Sequence, residues 1–342
     1  MKKLITICLT LSCLLWSCGS GQAKMGGMVN ASVKETREKE EHNLLVEGDS
    51  YPFLLTDYMN HEFTIKEKPE NYAVMSGTFL NLWYRLGGKS VCSTDVDSAM
   101  LDEAYRDEIL SLPSAGAVYN TNVEKVAEID PDFVIAQMGV QSGLASGLEK
   151  IEKETALFHM RSYSDVIDHI RAFGKILDNQ EEAEKIISEM DSKKEVITSK
   201  LPDTPKSVVI LYVTSASLSV KLDNSIAGDV AAILEMKNIA SDLMPDTIGS
   251  ETTPLDVEYI AEKNPDMILV TSMISSNEAA KKTMQEQFDS NPVWQTIDAV
   301  QENRVLYLPQ EYFLYNAGHK YVDAIEYMAK GVYPQIYGEL DE

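Results

Sequence analysis

Cysteine is scarce in this 342-residue chain, and its placement matters more than its number. Three of the four (Cys8, Cys13 and Cys18) fall within the first eighteen residues, leaving only Cys92 in the body. A disulfide framework is excluded for a chain of this length. Long apolar runs are also missing: the longest, Leu4 to Trp16, has about a dozen residues, short of the ~20 that a membrane-spanning helix needs. Basic residues are outnumbered 30 to 54, a formal charge of −24, and so acidic a surface repels phosphate backbones and argues against a nucleic-acid partner. No Gly-rich phosphate loop is present, and no G-x-G-x-x-G follows a strand. Gly139-Val-Gln-Ser-Gly143 sets its serine one place too late for a nucleophile elbow. Histidines 42, 61, 159, 169 and 319 are scattered, so no metal-ligating set is assigned. Asp95-Val-Asp97 lacks the glycine and closing glutamate of a calcium loop. Nothing here makes a case for catalysis, and no catalytic residue is assigned.

What is present begins with a leader. Lys2 and Lys3 precede the apolar run, as in a secretory signal. Leu15-Trp16-Ser17-Cys18 resembles the bacterial lipobox, with Cys18 as the acylated mature N-terminus, although Trp16 departs from the usual small or β-branched residue. Removal of the leader lysines takes the formal charge to −26. The sequence divides into a signal peptide (1–17), a flexible tether (18–45), an N-terminal α/β lobe (46–177), a bridging helix (178–204) and a C-terminal α/β lobe (205–342). Short apolar strands at 72–76, 90–93, 132–137 and 155–159, then at 207–213, 266–271 and 304–308, alternate with helical stretches. That pattern predicts two α/β lobes with central, mostly parallel sheets. Between the lobes, Asn179 opens a helix whose first turn carries Glu181 and Glu182, and Pro202 and Pro205 stop it.

An internal repeat links the lobes. Val123-Glu-Lys-Val-Ala-Glu-Ile-Asp-Pro-Asp-Phe-Val-Ile135 aligns with Val257-Glu-Tyr-Ile-Ala-Glu-Lys-Asn-Pro-Asp-Met-Ile-Leu269 at a constant offset of 134 residues. In each copy a short helix ends before Pro-Asp and an apolar strand follows. Further landmarks are Leu86-Gly87-Gly88, Leu112-Pro-Ser-Ala-Gly116, Asn238-Ile-Ala240, the run from Ala299 to Pro309 and Tyr333-Pro334. In this order, the features resemble the substrate-binding lipoproteins of ABC importers. The branch is the iron-siderophore, haem and vitamin B12 class (periplasmic binding protein class III), whose lobes are joined by one long helix.

The resemblance implies a receptor without bond chemistry or intrinsic cofactor. It would be a monomer, exported and lipid-anchored to a membrane, facing the periplasm or cell exterior. Its partners would be an ABC permease dimer with its ATPase and a metal chelate, an iron–siderophore ahead of haem or a corrinoid. An exported lipoprotein enzyme on a related scaffold is the alternative class. The family docks by one glutamate per lobe, which here are Glu124 and Glu258. In such folds the ligand sits beyond the carboxyl ends of the strands, between the lobes. The loops there nominate Thr78, Phe79, Tyr119, Met138, Arg161, Tyr163, Thr252, Tyr312, Phe313 and Tyr315. Tyr312 leads, because three aromatics in four residues follow a strand, where exposure would waste them. Arg161 is expected to hold an anionic group. His159, Met138 and Tyr163 are the candidate haem ligands.

Overall fold

Side-chain alternation along the central strands fixes how the layers stack. The computed structural model describes residues 44–340, apart from 49, 69, 275 and 316. The leader, Cys18 and most of the expected tether lie outside the described residues. Leu44 is already buried and Leu45 opens a strand, so the last two residues assigned to the tether belong to the folded body. The reason is local: Leu44-Leu45-Val46 supplies apolar surface that a solvated tether would leave in water.

Three short strands, β1 (Leu45–Glu47), β2 (Phe53–Thr56) and β3 (Glu62–Ile65), form an antiparallel sheet in that order. Phe53 and Leu55 turn inward from β2 while Leu54 and Thr56 are only half-buried, the period of two that a one-sided sheet requires. Asp57, fully buried at its turn, accepts backbone N–H bonds from Met59 (2.8 Å), His61 (2.9 Å) and Leu157 (2.9 Å), which fastens this sheet to the lobe behind it.

The lobe continues through β4 (Tyr72–Val74), α1 (Gly77–Arg85), β5 (Ser93–Asp95), α2 (Arg106–Leu110), β6 (Ser114–Ala117), α3 (Val123–Ile129), β7 (Phe133–Gln137), α4 (Ser142–Glu149) and β8 (Thr155–Phe158). β7 lies between β4 and β8, all parallel, and β5 pairs parallel with β6. Helix α5 (Tyr163–Ile176) begins with a capping box, Ser162 accepting from the Asp165 N–H while Asp165 accepts from the Ser162 N–H. The bridging helix, α6 (Gln180–Thr198), follows. Its 19 residues span about 28 Å.

The second lobe comprises β9 (Ser207–Thr214), β10 (Leu218–Lys221), α7 (Ile226–Ile233), β11 (Lys237–Asn238), β12 (Thr252–Pro254), α8 (Val257–Lys263), β13 (Met267–Met273), α9 (Asn277–Ser290), α10 (Asp298–Gln301), β14 (Val305–Tyr307), α11 (Gln310–Phe313), α12 (Tyr321–Val332) and α13 (Pro334–Tyr337). The sheet order is β12-β10-β9-β13-β14, with β11 also on β9. Pairing is parallel except along β12-β10-β9, an antiparallel edge. The fold is thus the expected two-lobed α/β class with one bridging helix.

In both lobes, alternate strand residues feed different cores. Phe133 and Ile135 of β7, and Met267 and Leu269 of β13, belong to one continuous core that also takes in Ile186, Ile187 and Met190 of α6. Val134 and Ala136 face a separate cluster under the first lobe, and Ile268 and Val270 another under the second. The bridging helix is therefore a shared wall of the main core. Gly174 lets α5 approach it closely, since a Cβ there would lie 2.5 Å from that of Ala183.

Candidate functional site

The two copies of the repeat fold alike. Asn122 caps α3 by accepting from the Lys125 N–H, and Asp256 caps α8 by accepting from the Tyr259 N–H, each filling an orphan donor of the first turn. Both helices end on a left-handed residue, Asp130 (φ 58°) and Asn264 (φ 42°), directly before Pro131 and Pro265. Glu124 and Glu258 are each the second residue of their helix and exposed, where a carboxylate also suits the positive helix end.

Between the carboxyl ends of the strands in the two lobes lies a cavity of about 120 Å³. Thr78 and Asn81, on the first turns of α1, and Met100 line it from one lobe. Glu311, Tyr312, Tyr315 and Lys320 line it from the other. Asn81 is held in place: its side-chain nitrogen donates to the Met100 carbonyl (2.8 Å) and its oxygen accepts from the Asp102 N–H (3.0 Å). Tyr312 packs edge-on to Tyr327 (6.4 Å between ring centres) and stays half-buried, and Tyr315 is 38% exposed. A smaller cavity of about 40 Å³ lies among Tyr212, Lys221, Glu251 and Phe313.

Of the ten ligand candidates, Thr78, Tyr312 and Tyr315 meet at the cleft cavity. Phe79 does not: it is buried, stacked on His169 (5.5 Å, 12° between planes) and edge-on to Phe158 and Phe173, in the core rather than the cleft. Position 79 points inward because it is one residue, about 100° of helix, round from Thr78. Phe313 is likewise a buried core residue, and it also lines the smaller cavity. Tyr163 is buried as well; its hydroxyl donates to Asp191 of the bridging helix (3.0 Å), and Lys194 sits 3.9 Å over its ring. Burial, with Asp191 beside it, pushes that hydroxyl above the ordinary tyrosine range.

Arg161 is not the open cation that its position predicts. Its Nε lies 3.6 Å from Glu251 of the opposite lobe, and Glu251 also pairs with the largely buried Lys221. The guanidinium is thus part of a charge cluster that spans the cleft. Tyr119 is 80% exposed on the loop before α3. Met138 is half-buried against two cores, and Thr252 donates to Asp246 (2.9 Å). The haem-ligand candidates do not converge either: His159 rests edge-on to Tyr58 (5.5 Å), Tyr163 is held by Asp191, and Met138 packs on the cores.

Several lining residues, Asn81, Met100 and Lys320 among them, escaped the sequence reading. Asn81 follows Thr78 by three residues on the same helix face, a spacing that could have revealed it. Lys320 gave no signal, because the segment before α12 reads as an ordinary polar connection. Among the described residues no group of three His, Cys, Asp or Glu side chains is placed to hold a metal ion, and no helix is long and apolar enough to cross a membrane.

The pattern of the periplasmic binding protein family matches residues 73–312, from the first parallel strand to the cleft tyrosine, and the chain belongs to that family. It is 22% identical over 317 residues to the ABC transporter substrate-binding lipoprotein YvrC of Bacillus subtilis (strain 168), covering 90% of this chain and 92% of that one. Over 342 residues it is 22% identical to the Fe(3+)-citrate-binding protein YfmC of the same organism, covering 99% and 98%. Among solved structures, S. aureus IsdE complexed with heme superposes with a TM-score of 0.66 at 20% identity, covering 78% of this chain and all (100%) of that one. Both relatives are named as binding proteins.

Proposed function

We propose that the protein is the extracytoplasmic receptor of an ABC importer, that it takes up a ferric chelate in the cleft between its lobes, and that it delivers this cargo to the permease. The observation that carries the reading is the cleft cavity, where Thr78 and Asn81 of one lobe face Tyr312 and Tyr315 of the other. Hydroxyl, amide and aromatic groups suit a chelate, whose outer surface combines polar oxygens with planar faces. The match to the family and the naming of one relative as a ferric-citrate-binding protein support iron as the metal carried. Lipid on Cys18 would hold the receptor at the membrane, and Glu124 with Glu258 would form the matched pair of anchors for a two-fold permease.

The cleft ought to work with modest closure. A core shared across the bridging helix resists large lobe rotation, and the Arg161–Glu251 pair already spans the lobes. Titration with ferric citrate, a ferric hydroxamate and a ferric catecholate, with haem in parallel as the fourth ligand, followed by quenching of intrinsic fluorescence, tests the reading. Saturable binding of at least one is expected. Binding of haem alone, with a Soret band, would replace the siderophore-type cargo with haem, and binding of none of the four would count against the receptor assignment.

A further inference from the structure

The smaller cavity, of about 40 Å³, lies beside the cleft among Tyr212, Lys221, Ser225, Glu251, Thr271 and Phe313. One water takes about 30 Å³ of the liquid, so this space suits a single polar group and not a whole cargo. Phe313 and Leu314 line it, and they stand in the chain between Tyr312 and Tyr315, which line the cleft. Burial first, then Glu251 and Tyr315, raise the Tyr212 hydroxyl above its ordinary range, so the cleft tyrosine is within electrostatic reach of the smaller cavity.

Lys221 is the unusual group here. It is buried, and its ammonium, with three N–H donors, makes one hydrogen bond among the described residues, to Oε1 of Glu251. The Tyr212 ring, 4.1 Å away, offers it only a π face. Glu251 is not its own: Nε of Arg161, from the opposite lobe, lies 3.6 Å from the other carboxylate oxygen, too far for a hydrogen bond. The Arg161 side chain remains 31% exposed. Asp165 and Asp229 turn their oxygens to N–H and hydroxyl donors and form no ion pair with either cation among the described residues. Two cations therefore share one carboxylate, a surplus of one positive charge in a chain of formal charge −24. A buried cation without a counter-ion of its own is costly, and a second carboxylate would offset that cost. The cleft cavity offers no such surplus, since Lys320 is held by Asp102 and Glu311 is itself an acid. Ile226 and Ala227, which open the eight-residue α7, line the smaller cavity too, and that end of a helix favours negative charge.

We propose that the smaller cavity is a carboxylate subsite of the cleft, where one carboxylate arm of the cargo accepts from Lys221 while Arg161 offsets its charge. The inference rests on the receptor reading and adds the chemical class of the cargo, a ferric chelate that carries a carboxylate. Glu251 is then an internal competitor, holding both cations until an arm arrives and sharing them afterwards. Removing its charge and removing a cation have opposite consequences.

The test titrates the mature full-length chain by calorimetry, at constant ionic strength in chloride, with iron-free citrate, ferric citrate and a neutral ferric trihydroxamate. Saturable binding of citrate with and without iron is expected. Arg161→Gln should weaken both by about ten-fold, and Glu251→Gln should tighten both by about three-fold. Lys221→Gln combined with Glu251→Gln leaves no lone buried charge and should weaken both by about ten-fold relative to the native chain. Absence of saturable citrate binding, or a loss in Glu251→Gln as large as in Arg161→Gln, would overturn the subsite. Binding of the neutral trihydroxamate alone would overturn it as well and leave the receptor reading standing. Iron-free citrate bound with the expected variant pattern, while no ferric chelate and no haem binds, would uphold a carboxylate site and remove the receptor reading.

Discussion

Oδ2 of Asp229, on α7 of the second lobe, accepts a hydrogen bond from the backbone N–H of Tyr163, the first residue of α5, at 2.9 Å. The same oxygen accepts from the hydroxyl of the fully buried Tyr321 at 2.8 Å. One carboxylate thus caps a helix of the opposite lobe and anchors the last long helix. Asp229→Ala should lower stability by about 2 kcal/mol by removing these bonds and stranding the Tyr163 N–H. A lower urea midpoint at unchanged slope is the expected readout, and an unshifted midpoint would show that water replaces the carboxylate.

Docking and capture should separate. Reversing both proposed anchors, Glu124→Arg with Glu258→Arg, should abolish uptake in cells while cargo affinity of the purified protein stays within about two-fold. Both side chains are exposed, with no ion pair or side-chain hydrogen bond among the described residues to lose. Surface substitutions of that kind usually change stability by no more than about 0.5 kcal/mol. A parallel loss of cargo affinity would place these glutamates at the wrong surface.

The aromatic run after β14 should split by role. Tyr312→Ala removes a cleft face and should weaken cargo binding by about ten-fold, with a small change in stability. Phe313→Ala empties a core position and should cost about 3 kcal/mol of folding stability, seen as a lower melting temperature. Equal effects of the two substitutions on affinity would contradict the division seen in the structure.

Acid should loosen a second cross-lobe contact. Burial alone would raise the Asp102 carboxyl, but hydrogen bonds from His319 and Lys320 outweigh it and hold the group at about 2. Its folded value lies below the unfolded one of 3.8, so its stabilisation is present above about pH 4 and lost as pH falls toward 2. The effect amounts to about 1–2 kcal/mol. The stability gap between the native chain and Asp102→Asn, measured in urea, should shrink across that window. A gap constant from pH 5 to pH 2.5 would rule out the linkage.

Strands that read from sequence as apolar runs between helical segments appear at or near their expected places, because a parallel strand buried on both faces has little room for polar residues. The Pro-Asp repeat was legible for a similar reason: cap, left-handed terminus and proline are all written in side chains. The edge strands were not. Leu218–Lys221 and Thr252–Pro254 mix polar and apolar residues, and β1 to β3 are three or four residues long, too short to establish a period. At the site, sequence could name loops but not which way each side chain turned. Thr78 and Phe79 sit side by side, one in the cleft and one in the core. Arg161 was placed near the cleft, but its partner Glu251 lies 90 residues away and only the fold brings the two together.

The core shared through the bridging helix has a consequence for the chain as a piece of covalent matter. A cut in the segment between Thr198 and Ser207 would leave each fragment with an uncovered apolar helix face, Ile186 and Met190 of α6 on one and Val322 of α12 on the other. Neither half would be a self-sufficient globule, yet the two present complementary surfaces. Co-expressed, they should reassemble into one receptor without the bond that joined them.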